Sequence, residues 1–197
     1  MRLRTTAFLG AVLIALGGAA AALTARQMTM GAPRGHADIK GEGITGTADL
    51  REVDAQTAGA HEMKFMTGAK AVEVTVTVTG LKPGPHGVHL HQFGKCEAPD
   101  FASAGGHFDP GPSGNVDPDV NHPFHMGDLA NLVADTTGKG TLKITTSRVT
   151  LGDGPLSVFD PDGTAIIIHA NPDQGVTGQP KSGVSGGPRV ACGVITK

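Results

Sequence analysis

The feature of the sequence that most constrains the fold is the segment AVEVTVTVTG at residues 71–80, in which apolar and polar side chains alternate. Alternation with a period of two is typical of a β-strand that has one buried face. Shorter runs rich in β-branched residues follow, and they are GTLKITT at 140–146, TAIIIHA at 164–170 and RVACGVI at 189–195. Connections rich in glycine and proline separate these runs. We therefore predict an all-β fold, an antiparallel barrel or sandwich.

Two connections, residues 92–127 and 170–188, are longer than a compact domain normally uses unless the loop carries function. We expect the functional site to lie in these loops. The formal net charge of the 197-residue chain is −2, so the basic excess of a non-specific nucleic-acid-binding protein is absent. We therefore expect no nucleic-acid partner.

The N-terminus has the pattern of a targeting segment. Arg2 and Arg4 precede the uncharged stretch 5–25, which is rich in alanine, leucine and glycine, and this order is typical of a secretory signal peptide. The alternative is an uncleaved membrane anchor, because 21 uncharged residues approach the length that crosses a bilayer. Both interpretations predict an exported domain that is periplasmic, membrane-anchored or secreted. A membrane contact is expected only if residues 1–25 are retained.

Residues 26–36, RQMTMGAPRGH, are polar and have no apolar period, so we predict a flexible linker. The alternative is that Met28, Met30 and His36 bind a soft metal ion. The folded domain is then predicted to span residues 37–197.

The chain contains two cysteines, Cys96 and Cys192. In an exported protein such a pair permits one intramolecular disulfide. The alternative is a pair of buried free thiols. We predict the disulfide, because the N-terminal segment directs the domain to an oxidising compartment.

Seven of the nine histidines fall between residues 86 and 169. In the segment GVHLHQFG, a strand would place His89 and His91 on the same face. His169 ends the apolar run IIIHA, where burial is costly unless the ring is hydrogen-bonded or bound to a metal. Imidazole is a ligand for copper, zinc, iron and nickel. The remaining candidate ligands are His107 in GGHFDP and His122, His125 and Asp128 in NHPFHMGD.

The segments GVHLHQFG, SAGGHFDP, HMGDL, IIIHA and GPRVACGVI occur in the order and spacing of the copper/zinc superoxide dismutases. The chain resembles this family over residues 37–197. The resemblance implies a Greek-key barrel or sandwich of about eight strands with long functional loops. It also implies an enzyme that converts two superoxide anions to dioxygen and hydrogen peroxide by copper redox cycling. Zinc, or a modified second site, would support the bridging histidine, and a homodimer is left open.

The resemblance also implies roles for individual residues. His107 would bridge the copper to a zinc ion whose other family ligands match His125 and Asp128. Arg189 would attract and hold superoxide, so Arg189 and His107 are the predicted catalytic residues. The predicted copper ligands are His89, His91, His107 and His169.

Further positions match residues that support the metals in this family. Asp173 matches a carboxylate that hydrogen-bonds ligands of both metals, and such a partner fixes the tautomer of an imidazole ligand. His86 matches a histidine that orients the copper-binding strand without binding metal. Lys181 corresponds to a lysine of the loop that attracts the substrate. Cys96 and Cys192 match the family disulfide.

One departure from the family pattern concerns zinc. The family has a further zinc-binding histidine eight or nine residues after the bridging one, where this chain has Asn115 and Val116. We hypothesise that His122 replaces the missing ligand. The alternative is a copper-dominated site with weakened zinc binding, in which His122 lies on the surface.

A second function would be a non-enzymatic copper-binding or copper-buffering protein of the same fold. Arg189 and Asp173 argue against it, since copper storage alone does not need an anion-guiding arginine. A zinc-dependent hydrolase is disfavoured further, because the chain has no HExxH motif.

Overall fold

The domain is built from β-strands joined by long loops. The computed structural model describes residues 32, 34–55, 69–111 and 114–197. The predicted signal peptide or anchor at residues 1–25 lies outside these described ranges, and so do Met28 and Met30. The nine strands within the described residues are β1 Arg34–Gly41, β2 Ile44–Asp54, β3 Lys70–Thr79, β4 Gly84–His86, β5 Val88–His91, β6 Leu132–Ala134, β7 Gly140–Thr146, β8 Ala165–His169 and β9 Arg189–Val194.

The strands form one sheet in the order β4-β6-β7-β3-β2-β1-β9-β8-β5, and every paired neighbour is antiparallel. The two edge strands, β4 and β5, are consecutive in the chain and are separated only by Gly87. The sheet is therefore nearly closed into a barrel. The all-β prediction is confirmed, with nine described strands where about eight were expected. No helix in the described part of the chain has the length and apolarity to cross a membrane.

The first strand begins inside the predicted linker. Arg34 pairs with Arg51 of β2, and the Nδ1 atom of His36 lies 2.8 Å from the carboxylate of Asp49. Exposed and buried positions alternate from Arg34 onward, but the first buried position is Gly35. Because glycine has no side chain, the alternation is invisible in the sequence. The strand therefore starts three residues before the predicted domain boundary.

The core is formed by the inner faces of the strands. The four valines of β3 that the alternation places on one face are at most 1% exposed, as predicted. Ile166 and Ile168 of β8 and Leu90 of β5 join the same core. Full burial of an aliphatic side chain of this size stabilises the fold by about 1.5–3 kcal/mol.

The outer face of β8 is also buried, because the loop after β5 covers it. Ile167 packs there with Phe101 and Ala104 of this loop. A disulfide between Cys96 and Cys192, with Cα atoms 5.6 Å apart, attaches the loop to β9 and confirms the predicted bond. A link that closes a loop of 96 residues stabilises the fold by about 4–5 kcal/mol in the chain-entropy model. The loop therefore has a fixed place beside β5 and β8.

Candidate metal centre

Short β-bridges bring the candidate ligands to one face of β5. His89 and His91 are both fully buried on this strand. His91 forms a β-bridge with His107, and His89 forms one with Asp128. His169 ends the adjacent strand β8. Residues that are far apart in the sequence therefore converge on a single strand.

Backbone packing fixes the segment that precedes Asp128. Gly127 donates its N–H to the carbonyl of Phe108 and accepts a hydrogen bond from the N–H of Leu90. A Cβ atom at Gly127 would lie 2.4 Å from the Leu90 carbonyl oxygen, so only glycine allows this close approach. Glycine at this position therefore lets the HMGD segment lie directly against β5.

Four imidazoles converge at the centre of this face, and we call them the four-histidine cluster: His89, His91, His107 and His169. Each ring offers one ligand nitrogen, and these atoms lie within 4.8 Å of one another. One nitrogen of each ring is buried without a hydrogen-bond partner. Such orphaned polar atoms are costly unless they bind a metal. These atoms are His89 Nδ1 and the Nε2 atoms of His91, His107 and His169.

The outer nitrogen of each ring is held by an acceptor. His91 Nδ1 donates to the carbonyl of Gly105 at 3.0 Å, and His169 Nδ1 donates to that of Gly187 at 2.9 Å. His89 Nε2 lies 2.9 Å from the Asp173 carboxylate. Because the proton sits on the outer nitrogen, the lone pair of the inner nitrogen faces the centre of the cluster.

Burial keeps His91, His107 and His169 in the neutral form that binds metals. Desolvation is the main cause that lowers the pKa of His91 and of His169 well below its usual value. Burial, together with the charge of His89, lowers the pKa of His107 to about 3. Metal ligation needs neutral imidazole, so these three rings can each offer the inner nitrogen to a cation.

A second group adjoins the first, and we call it the Asp128 cluster: His107, His122, His125 and Asp128. Ligand atoms of His107, His122 and Asp128 lie within 4.8 Å of one another and of one from His89, whereas His125 joins the group through its contact with Asp128. The Asp128 carboxylate lies 2.7 Å from His107 Nδ1, 3.2 Å from His122 Nδ1 and 3.0 Å from His125 Nδ1. Burial alone would raise the pKa of Asp128, but hydrogen bonds from the three imidazoles hold it well below its usual value. Three imidazoles and a carboxylate are a donor set that suits tetrahedral zinc.

His122 lies inside the protein and not on its surface. Its side chain is fully buried, which contradicts the surface alternative. Its Nδ1 atom faces Asp128, and its Nε2 atom lies 2.6 Å from Asp173 Oδ1. Burial would lower the pKa of His122, but the two carboxylates outweigh burial and raise it to about 9 in the metal-free protein.

Asn115 and Val116 stand at the positions of the missing family histidine, and both accept hydrogen bonds from backbone N–H groups. The carbonyl of Val116 accepts the N–H of His107, and the Asn115 amide oxygen accepts the N–H of Asp117. Neither side chain belongs to the two described clusters.

Residues 44–195 match the family model for copper/zinc superoxide dismutase (SODC). The chain belongs to the copper/zinc superoxide dismutase family. A superoxide dismutase [Cu-Zn] of Caulobacter vibrioides is 40% identical over 154 residues, which cover 76% of this chain and 84% of that protein. One from Deinococcus radiodurans is 39% identical over 158 residues, with 75% and 82% covered.

Solved structures of similar fold agree with this assignment. A double mutant of a SOD-like protein from Bacillus subtilis has a TM-score of 0.61 at 30% identity, covering 81% of this chain and 95% of that one. The clock protein EA4 has a TM-score of 0.63 at 28% identity, covering 83% and 94%. These similarities confirm the Greek-key expectation for the superoxide dismutase fold.

Asp173 links the two clusters of this superoxide dismutase family member. One carboxylate oxygen contacts His89 Nε2 and the other contacts His122 Nε2. Burial would raise the pKa of Asp173, but its hydrogen bonds with His122 and His89 hold it well below the usual value. A single carboxylate therefore orients one imidazole of each cluster.

Asn131 was not identified from the sequence. Its amide Nδ2 donates to the Asp173 carbonyl at 2.8 Å, and its Oδ1 accepts the Asp173 N–H at 2.8 Å. This reciprocal pair fixes the backbone of Asp173. The only signal in the sequence is that Asn131 follows the candidate ligand Asp128 by three residues, and that signal is weak.

Arg189 lies in a cleft of about 630 Å³ that reaches His169 and is also lined by Lys181. Its guanidinium donates to the carbonyls of Phe101 and Gly105 in the disulfide-linked loop. Burial lowers the pKa of Arg189, but arginine has so high an intrinsic pKa that it remains a cation. The cleft therefore presents positive charge beside the four-histidine cluster.

His86 contacts the metal site only through the backbone. Its Nδ1 atom lies 2.7 Å from the carbonyl oxygen of His169, and its Nε2 atom lies 2.8 Å from that of Lys82. The ring therefore links the end of β8 to the turn before β4. The positioning role that the resemblance implies for His86 stays a prediction.

Proposed function

We propose that the four-histidine cluster binds copper, that the Asp128 cluster binds zinc, and that the protein dismutates superoxide. The observation that carries the proposal is the orientation of His107: its Nε2 atom faces one cluster and its Nδ1 atom faces the other. With one nitrogen facing each cluster, this imidazole would be able to bind two metals at once. The residues fit both metals: the inner nitrogens of the four-histidine cluster lack other partners, and in the Asp128 cluster three imidazole nitrogens face one carboxylate.

Copper in this site supplies a centre that gains and loses one electron, whereas zinc has no redox chemistry. The chain must also deliver protons, since two superoxide anions and two protons give dioxygen and hydrogen peroxide. His107 Nε2 is the atom that would take up and release one proton, because its Nδ1 side is fixed at Asp128.

Arg189 would bind the anionic substrate. Its planar fork of N–H donors suits a small oxyanion, and hydrogen bonds to two carbonyls hold that fork in place. A positive charge at the end of a cleft raises the encounter rate of an anion. A copper-buffering protein would not need this cation beside its metal, so the enzymatic function is the one we propose.

The replacement of the missing zinc ligand by His122 is tested by His122→Ala. We expect zinc affinity to fall by at least about tenfold, since one of four ligands is lost, while copper binding is retained. Metal analysis after dialysis against a weak chelator measures both ions. His36→Ala, at an exposed position of β1 outside both clusters, is the matched control and should keep both metals.

Unchanged stoichiometric zinc in His122→Ala would eliminate His122 as the replacement ligand. The copper site and its activity would then still stand, because His122 is not in the four-histidine cluster.

We further propose that residues 1–25 direct export, as a cleaved signal peptide or as a membrane anchor, to a periplasmic, membrane-anchored or secreted location. Two observations support export. The Cys96–Cys192 disulfide suits an oxidising compartment. An extracellular superoxide dismutase [Cu-Zn] of Onchocerca volvulus is 32% identical over 175 residues, covering 82% of this chain and 81% of that protein. Whether the mature domain is a monomer or a homodimer stays open, and sedimentation of the mature domain would decide it.

A further inference from the structure

A buried carboxylate outside both metal clusters joins the two long loops of the domain. Asp119 lies in the loop between His107 and His122, and it is only 4% exposed. It faces the turn that carries Lys181 in the other loop, residues 170–188. Asp119 also lines the cleft that contains Arg189. Among the described residues, none of its hydrogen bonds is with a metal-cluster residue, so its burial needs another explanation.

Every hydrogen bond that the Asp119 carboxylate accepts from another loop comes from this turn. Oδ2 accepts the N–H of Gly183 at 2.8 Å. Oδ1 accepts the N–H of Ser185 at 3.1 Å and the hydroxyl of Ser185 at 2.9 Å. The backbone carbonyl of Asp119 accepts the N–H of Gly178 at 2.8 Å. The residue therefore binds both ends of the turn.

The turn needs such a tether because its backbone is unfavourable on its own. Lys181 has a φ of 64°, in the left-handed region that residues with a Cβ rarely adopt. A conformation of this kind persists only where the surrounding contacts hold it. Lys181 is exposed, so its side chain has no packing that would do so. The hydrogen bonds on either side of it supply the restraint.

A second contact ties the same two loops beside the zinc ligands. The Thr177 hydroxyl donates to the carbonyl of His122 at 2.6 Å. Asp119 and His122 thus lie in one loop, and both are attached to the loop that leads to Arg189. A change in one loop would be transmitted to the other.

We propose that Asp119 is a positioning residue that holds the turn at residues 178–185, and so sets where the Lys181 cation stands at the entrance to the metal site. The proposal rests on the proposed function, since the substrate that Lys181 would meet is superoxide. Under this proposal, the negatively charged Asp119 raises the rate at which the anionic substrate reaches the metal site. The effect arises from position and not from charge.

The rival interpretation is that Asp119 acts on the substrate only through its charge. The two interpretations predict opposite signs. If charge alone matters, removing the carboxylate lessens the repulsion of an anion and raises the encounter rate. If the tether matters, the same change releases the turn and lowers the rate.

The test compares Asp119→Asn with Asp100→Asn in the copper- and zinc-loaded protein. Asp100 lines the same cleft and is exposed; its carboxylate accepts the N–H of Ala102 within its own loop, and its charge acts on Arg189 without a hydrogen bond to the turn among the described residues. Asp119→Asn keeps the size of the side chain but replaces one acceptor oxygen by an NH₂ group, which cannot accept the bonds from the turn. Both variants remove one negative charge from the cleft.

We expect Asp119→Asn to lower kcat/KM for superoxide by about three- to tenfold and to weaken its salt dependence, with copper content unchanged. Amide hydrogen exchange of Gly183 and Ser185 should become at least about tenfold faster, while exchange in β3 stays the same. Asp100→Asn should give a rate no lower than that of the unmodified protein and unchanged exchange.

An Asp119→Asn rate that rises together with that of Asp100→Asn would overturn the proposal, and so would unchanged exchange at Gly183 and Ser185. If the unmodified copper-loaded protein does not dismutate superoxide, the proposed function fails instead. The exchange measurement would still show whether the tether exists, so the two failures are distinguishable.

Discussion

At the scale of single residues, the metal site is organised by atoms that do not touch the metals. The outer nitrogens of three imidazoles donate hydrogen bonds to the carbonyls of Gly105 and Gly187 and to the carboxylate of Asp173. These acceptors decide which nitrogen carries the proton, and hence where each lone pair points. The ligands are therefore oriented before a metal binds, which lowers the cost of binding it.

The role of Arg189 gives a prediction at this scale. Arg189→Ile removes the cation from the cleft and should lower kcat/KM for superoxide by about tenfold or more, and flatten its dependence on salt. Copper content should not change, because Arg189 does not belong to either metal cluster. Pulse radiolysis at several ionic strengths measures both effects.

Arg51→Gln is the control for this change. Arg51 is paired with Glu73 on the strands β2 and β3, away from the cleft. Its replacement should leave the rate as it is. An undiminished rate in Arg189→Ile would contradict a role in guiding superoxide.

At the scale of elements, the strands could be predicted from the sequence where their alternation is complete. In β3, residues 71–79 show this alternation. β8 could be predicted from a different signal, the short apolar run at residues 165–169 that is buried on both faces. The start of β1 was missed because Gly35 occupies its first buried position. The short strands β4 and β6, of three residues each, are too brief to show a period.

The loops were harder to predict than the strands, because their contacts are between residues distant in the sequence. The motif segments pointed to the histidines of both clusters, but they gave no information on how His122 would reach Asp128. The bonds of Asp119 to residues 183 and 185 span 64 and 66 positions. Such contacts depend on the path of the whole loop, which no local pattern of side chains determines.

At the scale of the whole molecule, the histidines of the metal-free protein change its stability with pH in opposite directions. The pKa of His107 is lowered to about 3, and those of His91 and His169 are also lowered, chiefly by burial. Below pH 6.5 the unfolded chain takes up protons that the folded protein does not, so stability falls as the pH falls. The pKa of His122 is raised to about 9, so its contribution is full below pH 6.5 and is lost as the pH rises toward 9.

We therefore predict that the free energy of unfolding of the metal-free protein is greatest near pH 6.5 and declines on both sides. Urea denaturation between pH 5 and pH 9 measures this profile. His122→Ala should remove the decline above pH 6.5 and leave the decline below it. A stability that rises steadily from pH 6.5 to pH 9 in the metal-free protein would contradict the environment described for His122.

Metal binding should then stabilise the whole fold, because both clusters join loops to strands of the barrel. A ligand that binds only the folded state stabilises it by about 2.7 kcal/mol when its free concentration is one hundred times Kd. The metal ions would act here together with the disulfide between Cys96 and Cys192, which fixes the loop that holds Arg189.

The convergence of four imidazoles on one copper ion is the central claim, and electron paramagnetic resonance of the copper-loaded, zinc-loaded protein tests it most directly. We predict one copper ion per chain with resolved hyperfine coupling to several imidazole nitrogens, and fewer such couplings after His169→Ala. A copper spectrum without coupling to multiple nitrogens would contradict the account.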